Sequence, residues 1–178
     1  MAGMRLAIAT AVALVVTGGA LAATGDYPGT SQALAPTPGE IAFTSVVSFK
    51  PAKKPTGALA KGFKNGVVAF YQKGKAANPV QAITTIYVYK TAADAKHGYA
   101  STCGAACPSH DAYKGIETKA GTVKQSGATT LHFATTCRNV LVSIVAAGET
   151  VKALSTDAVT IGRWVLKRAL GMGMSPCA

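Results

Sequence analysis

The stretch VQAITTIYVYKTAADAKHGYAST, residues 80–102, changes its hydrophobic period halfway along. Over 80–90, Ile83, Thr85, Tyr87 and Tyr89 fall on one face of an extended chain, and Ile86 and Val88 fall on the other, because strand side chains alternate with period two. Both faces carry apolar groups, which predicts a strand in the interior of a sheet. After Lys90 the period becomes helical. Thr91 followed by Asp94 has the T-x-x-D spacing of a helix N-terminus, where a threonine oxygen accepts an otherwise unpaired amide. Ala92, Ala95, Tyr99 and Thr102 then share one stripe. Gly98 sits inside that helix and costs it about 1 kcal/mol relative to alanine.

Downstream, ATTLHFATT (128–136) alternates, with Leu131 and Phe133 on one face and Thr130, His132 and Ala134 on the other. CRN is a tight connection, and VLVSIVAAG (140–148) is a second strand, so 128–148 reads as a β-hairpin. ETKAGTVKQSG (117–127) holds a further short strand. TVKALSTDAVTIGRWVLKRALG (150–171) is the longest helix, with Leu154, Ala158, Ile161, Val165 and Ala169 at helical spacing. Arg163, Lys167 and Arg168 lie toward its C-terminus, where positive charge complements the helix dipole, and Gly171 is a natural stop. Trp164 flanks the apolar stripe as an anchor at the edge of the core.

Upstream, IAFTSVVSF (41–49) is β-branched and aromatic and reads as a first strand. KPAKKPTG (50–57) ends it with two prolines, VVAFYQ (67–72) follows a turn-like KNG, and KGKAANP (73–79) is a loop. There is no internal repeat. Strands followed by a helix, more strands and a last helix argue an α+β fold. A single mostly antiparallel sheet with two helices packed on one face, stabilised by disulfides, is expected.

The first residues read as an export signal. One charge, Arg5, precedes the apolar run Leu6–Val16, and Ala20-Leu21-Ala22 has the small-x-small pattern of a cleavage site. The run is shorter than the ~20 apolar residues of a membrane span, although retention as an N-terminal anchor is the alternative. The expected organisation is a signal peptide at 1–22, a flexible Gly/Pro/Ser/Thr-rich lead-in at 23–40 and one domain at 41–178. The location is secreted or extracytoplasmic.

All four cysteines, Cys103, Cys107, Cys137 and Cys177, fall in the exported part. An even count in an oxidising compartment favours disulfides. The spacing suggests Cys103–Cys107 within the loop and Cys137–Cys177 tying the C-terminal tail to the hairpin turn. In the competing arrangement both loop cysteines reach out to Cys137 and Cys177. A bridge closing the roughly 40 residues between Cys137 and Cys177 contributes ~3–4 kcal/mol in the chain-entropy model. The alternative for the loop is chemical. Cys103, Cys107 and His110 resemble part of a copper site, with Met172, Met174 and Cys177 as further soft ligands, or a thiol-redox pair. Zinc sites use a second matched cysteine pair, and redox dithiols use C-x-x-C at a helix N-terminus. Neither pattern is present.

Catalytic motifs are missing. There is no G-x-S-x-G elbow and no phosphate loop or dinucleotide fingerprint. None of the seven acids is placed as an acid/base dyad. His97, His110 and His132 have no carboxylate partner visible in the sequence. The expectation is a protein without enzymatic activity or cofactor.

What remains is charge. The chain carries 18 Lys+Arg against 7 Asp+Glu, a net +11, and loss of Arg5 with the signal lowers this by one. No acid occurs between Glu40 and Asp94, whereas Lys50, Lys53, Lys54, Lys61, Lys64, Lys73, Lys75 and Lys90 all lie there. Such a field attracts anions. Outside the cytoplasm these are envelope polymers and lipid headgroups rather than nucleic acid. Lys50, Lys53, Lys54, Lys61, Lys64, Lys73 and Lys75 are the candidate anion-binding residues, and a small ligand is a second possible target. Of the interleaved aromatics Phe63, Phe70, Tyr71, Tyr87 and Tyr89, most are expected in the core or on the sheet face.

The strand ITTIYVYK, the T-x-x-D helix leading to Cys103, the hairpin LHFATTCRNVLVSIVAAG and the helix AVTIGRWVLKRAL together resemble small exported α/β proteins of actinobacteria. The plan is also similar to the extracytoplasmic sensor domain of mycobacterial serine/threonine kinases, over roughly residues 66–177. That resemblance implies the fold, two disulfides and a ligand-binding cleft. It carries no specific motif, so no ligand-binding residue is transferred from it.

Overall fold

A computed structural model describes residues 25–75, 79–103, 107–125 and 128–171. Six strands form one sheet: β1 (Ser45–Pro51), β2 (Phe63–Lys73), β3 (Val80–Tyr89), β4 (Thr118–Gln125), β5 (Ala128–Cys137) and β6 (Val140–Ala147). Their order is β1-β2-β3-β6-β5-β4, with every neighbouring pair antiparallel. The helices among the described residues are α1 (Ser31–Leu34), α2 (Ala92–Ser101) and α3 (Val151–Leu170), with short 3-10 turns at Pro38–Glu40 and Gly57–Ala60. The α+β class and the antiparallel sheet are as the sequence predicts. The proposed signal peptide and the tail from Met172 lie outside the described residues. No helix among the described residues is long and apolar enough to cross a membrane.

The period switch at Lys90 is real. β3 lies between β2 and β6 and is buried on both faces at its C-terminal end, through Ile86, Val88 and Tyr89. The Asp94 amide donates to Thr91 Oγ1 at 3.1 Å, capping α2. α3 begins where Ala153 N–H donates to Thr150 Oγ1, and it stops at Gly171, whose φ of 75° is costly for residues with a Cβ.

The two long helices cover opposite faces, which corrects the expectation of a single covered face. Ile86, Val88, Val140, Val142, Leu131 and Phe133 pack with Leu154, Ala158, Ile161 and Val165 of α3. On the other face Tyr89 and Leu141 pack with Ala95 of α2, bordered by Leu59, Phe63, Tyr87 and Tyr99. A strand with apolar residues on both sides needs cover on both sides. Each fully buried Leu, Ile or Val of α3 contributes about 1.5–3 kcal/mol. Gly98 lets α2 approach the sheet, since a Cβ there would lie 2.7 Å from Tyr89 Oη.

The lead-in also differs from expectation. Leu34, Ile41 and Phe43 are buried with α3, and Tyr71 Oη donates to Pro36 O at 2.7 Å. Asn139, in the β5–β6 turn, accepts from Tyr27 N–H and donates to Tyr27 O and Tyr89 O. The segment's turn-rich composition hides Leu34, and Ile41 and Phe43, expected at the start of the first strand, are buried ahead of it, since that strand begins at Ser45 rather than residue 41. The KNG sequence does not turn. It continues β2 through a register shift between Phe63 and Asn65.

The sheet edges are treated differently. Beside β4, Ser109 forms a bridge with Lys119, His110 N–H donates to Thr118 O, and Ala120 N–H donates to Pro108 O. The start of that edge, Thr118–Ala120, is therefore covered by the cysteine loop. β1 is exposed along most of its length.

Candidate anion-binding surface

The antiparallel register sorts the candidate lysines into two groups. Pro51 opposes Val67, Ala52 N–H donates to Gly66 O, and Lys90 N–H donates to Gly62 O. These links gather the segments carrying Lys53, Lys54, Lys61 and Lys64 at one end of the sheet, Lys50 opposes Val68 partway along the adjoining edge strand, and all five lysines are exposed. Lys90, also exposed, joins them from the end of β3. At the opposite end of β2, Lys73 opposes Val80. Nine residues at about 3.3 Å each put Lys64 and Lys73 roughly 30 Å apart, beyond the ~10 Å Debye length at 0.1 M salt.

The two groups also differ in pairing. Lys73 Nζ lies 2.7 Å from Asp157 Oδ2 and 3.6 Å from Glu149 Oε2, and it sits over the Phe43 ring. Burial alone would lower its pKa, but the Asp157 hydrogen bond and charge, with Glu149, outweigh this and raise it. Lys73 is a structural cation and leaves the candidate surface. Lys75 is exposed but lies at Lys73's end of the sheet. Glu40 pairs with Arg168 and Glu117 with Lys96. Among the described residues no acid is within ion-pair distance of Lys50, Lys53, Lys54, Lys61 or Lys64. Asp94 borders them, packed against Gly62, with its carboxylate accepting from Thr91 Oγ1 at 2.8 Å.

The aromatics divide as the alternating pattern requires. Tyr71 and Tyr89 are fully buried, and their hydroxyls donate to Pro36 O and Leu59 O. Burial pushes the Tyr89 hydroxyl up to about 12, with the charges of Tyr87 and Asp94 adding to the shift. Phe63, Tyr87 and Phe70 are half-buried. Phe70, Ile83 and Val145 oppose one another across β2, β3 and β6. α2 packs further along the same face, and Ile83 is left 45% exposed on an interior strand. The next row is Lys50, Val68, Thr85 and Ser143. Lys50 therefore stands at the margin of an open sheet face with an apolar centre.

The cysteine loop holds a Cys103–Cys107 disulfide. This is the expected clip, and it overturns the arrangement in which both loop cysteines reach distant partners. Cys137 is also disulfide-bonded, and Cys177 lies outside the described residues. In the bridged form Cys103 and Cys107 offer no thiolates, so the copper or dithiol reading of Cys103, Cys107 and His110 loses its sulfur ligands. His110 lies edge-on to Phe133 with ring centroids 6.3 Å apart, and its buried Nδ1 has no hydrogen-bond partner among the described groups. His97 is exposed on α2 and His132 is half-buried on β5. The three histidines stay apart from any paired carboxylate among the described residues.

Two clefts flank α2. One, of about 300 Å³, is lined by Lys96, Glu117, Thr136 and Arg138 at its N-terminus. The other, of about 500 Å³, is lined by Tyr99, His110, Asp111 and Thr118 at its C-terminus. Arg138 was legible only as part of a tight connection. Its φ of 50° places it in the two-residue turn between Cys137 and Val140. Lys119 was not singled out by the sequence either. Its Nζ donates to Tyr99 O at 2.6 Å and to Ala100 O, capping the end of α2, and burial lowers its pKa.

No protein-family model and no curated protein matches the chain. Among solved structures it is similar to the extracellular domain of PknH from Mycobacterium tuberculosis, with 14% identity and a TM-score of 0.45, over 80% of this chain and all of that one. This is the kind of extracytoplasmic domain that the strand, helix and hairpin plan resembles. At that identity and overlap it brings no residue role or ligand to this chain.

Proposed function

We propose that this protein is an extracytoplasmic, non-catalytic binding domain that holds an anionic envelope polymer through Lys50, Lys53, Lys54, Lys61 and Lys64, with Lys90 as a sixth contact. The observation that carries this reading is the segregation of charge. Among the described residues six exposed lysines at one end of the sheet and along the adjoining part of β1 have no ion-pair partner, while four of the seven acids neutralise Lys73, Lys96 and Arg168 elsewhere. Unpaired charges at a water-exposed surface remain available to a polyanion. The Cys103–Cys107 bridge supports an oxidising compartment.

The test is retention of the mature chain on immobilised anionic cell-wall polymer, with vesicles one-third anionic in lipid as the comparison. The reading expects retention on the polymer that falls steeply between 0.05 M and 0.5 M salt, because screening tightens over about that range. Retention unchanged by salt would sink it. Stronger retention on the vesicles would reassign the surface to lipid headgroups.

A further inference from the structure

We infer that β1 is a docking edge for an extended acidic segment of a partner protein, added as a seventh strand. The inference goes beyond the polymer reading. It shares Lys50, Lys53 and Lys54 with that reading but stands on the backbone of an open edge.

Antiparallel pairing fixes which backbone groups are free. Ala52 N–H donates to Gly66 O, so Ala52, Lys50 and Ser48 direct their amides and carbonyls toward β2, opposite Gly66, Val68 and Phe70. Phe49, between them, directs its N–H and C=O away from the sheet. An unpaired edge is a template for a further strand. Residues 108–110 of the cysteine loop cover the start of the β4 edge, whereas among the described residues no strand pairs with the outer edge of β1.

The side chains of β1 are two-sided. Val46 and Phe49 oppose Tyr71 and Ala69 on one face, while Ser48 and Lys50 oppose Phe70 and Val68 on the other. Val46, Val47 and Phe49 are 37%, 52% and 38% exposed. Charge and Pro51 are the usual means of blunting an edge, but a blunted edge has no use for three exposed apolar side chains. The lysines select the occupant. A second copy of this basic chain would bring like charges together, whereas an acidic strand would be attracted. A segment alternating acidic and apolar residues sets its acids beside Lys50 and its apolar groups beside Val46 and Phe49.

The probe is a blocked decapeptide alternating Glu and Val, compared with a Lys/Val version and with a Glu/Val version N-methylated at every residue, which has no backbone donor on either edge. The readouts are hydrogen exchange at the Phe49 amide and peptide affinity for the full mature chain. The Glu/Val peptide should slow Phe49 exchange at least tenfold, and both other peptides should leave it fast. Phe49→Pro, which deletes only an outward amide from the backbone, should weaken binding at least tenfold more than Phe49→Ala. Equal binding by the N-methylated peptide would overturn strand addition, and that comparison uses the unaltered protein. A Phe49 amide already slow without peptide also overturns the inference: at every dilution it means the chain covers its own edge, and only at high concentration it means a second copy does. Retention on wall polymer is read separately, so the two readings fail independently.

Discussion

Lys73 Nζ lies 2.7 Å from Asp157 Oδ2, joining the end of β2 to α3. One lysine of the basic run is thereby spent on the fold, and its neighbours in sequence are not. Lys73→Gln should lower stability by about 1–3 kcal/mol, because Asp157 is buried and loses its charged partner. It should leave polymer retention near that of the unaltered protein. Urea unfolding and retention assays separate the two effects. The Lys73 pKa is raised in the folded state. Its contribution is therefore complete below the unfolded lysine value of about 10.4 and is lost as pH rises through the higher folded value.

Glu40 gives the opposite dependence. Burial would raise its pKa, but hydrogen bonds from Thr37 and the charge of Arg168 lower it. Its contribution is present above the unfolded value of about 4.3 and is lost as pH falls through the depressed folded value. Unfolding of the native protein at pH 3 should therefore require less urea than at pH 6. Glu40→Gln should show a smaller difference. An equal difference in the two proteins would remove Glu40 as a source of acid lability.

Gly98→Ala tests the close approach of α2 to the sheet. Helix propensity alone predicts a gain of about 1 kcal/mol. The new Cβ would meet Tyr89 Oη, which is buried and donates to Leu59 O. Overpacking of this kind costs about 1–3 kcal/mol, so the net effect should be no gain or a loss. A stabilised variant would mean that the helix stands further from Tyr89.

The cysteines should all be unreactive toward alkylation under denaturing conditions without reductant, and all four should react after reduction. Intact mass reads the result directly. Replacing both Cys103 and Cys107 by serine should cost about 2 kcal/mol, since the bridge closes only a short loop. Two or four thiols reactive without reductant would restore the loop as a candidate metal or redox site.

Local signals were legible in the sequence, and distant relationships were not. Thr91 caps its helix, and Leu154 to Ala169 face the core, because caps and stripes are set within one or two turns. The helices' assignment to opposite faces was not legible, although the two apolar faces of β3 hinted at it. The burial of the stretch from Leu34 to Phe43 was hidden because Gly, Pro, Ser and Thr report turns, while Leu34, Ile41 and Phe43 find their partners far along the chain. The lysine run read as one feature because sequence spacing ignores the length of β2. Only the register shows that Lys73 and Lys75 sit at the far end, and only tertiary packing leaves Ile83 exposed.

The most direct measurement is a salt titration of polymer retention for the unaltered chain and for Lys50→Gln/Lys53→Gln/Lys54→Gln. Neutralising three of the six exposed lysines of the candidate surface should roughly halve the dependence of log affinity on log salt, with urea stability unchanged because the three side chains are exposed. An unchanged slope in a fully folded variant would contradict the account and place anion binding elsewhere on the molecule.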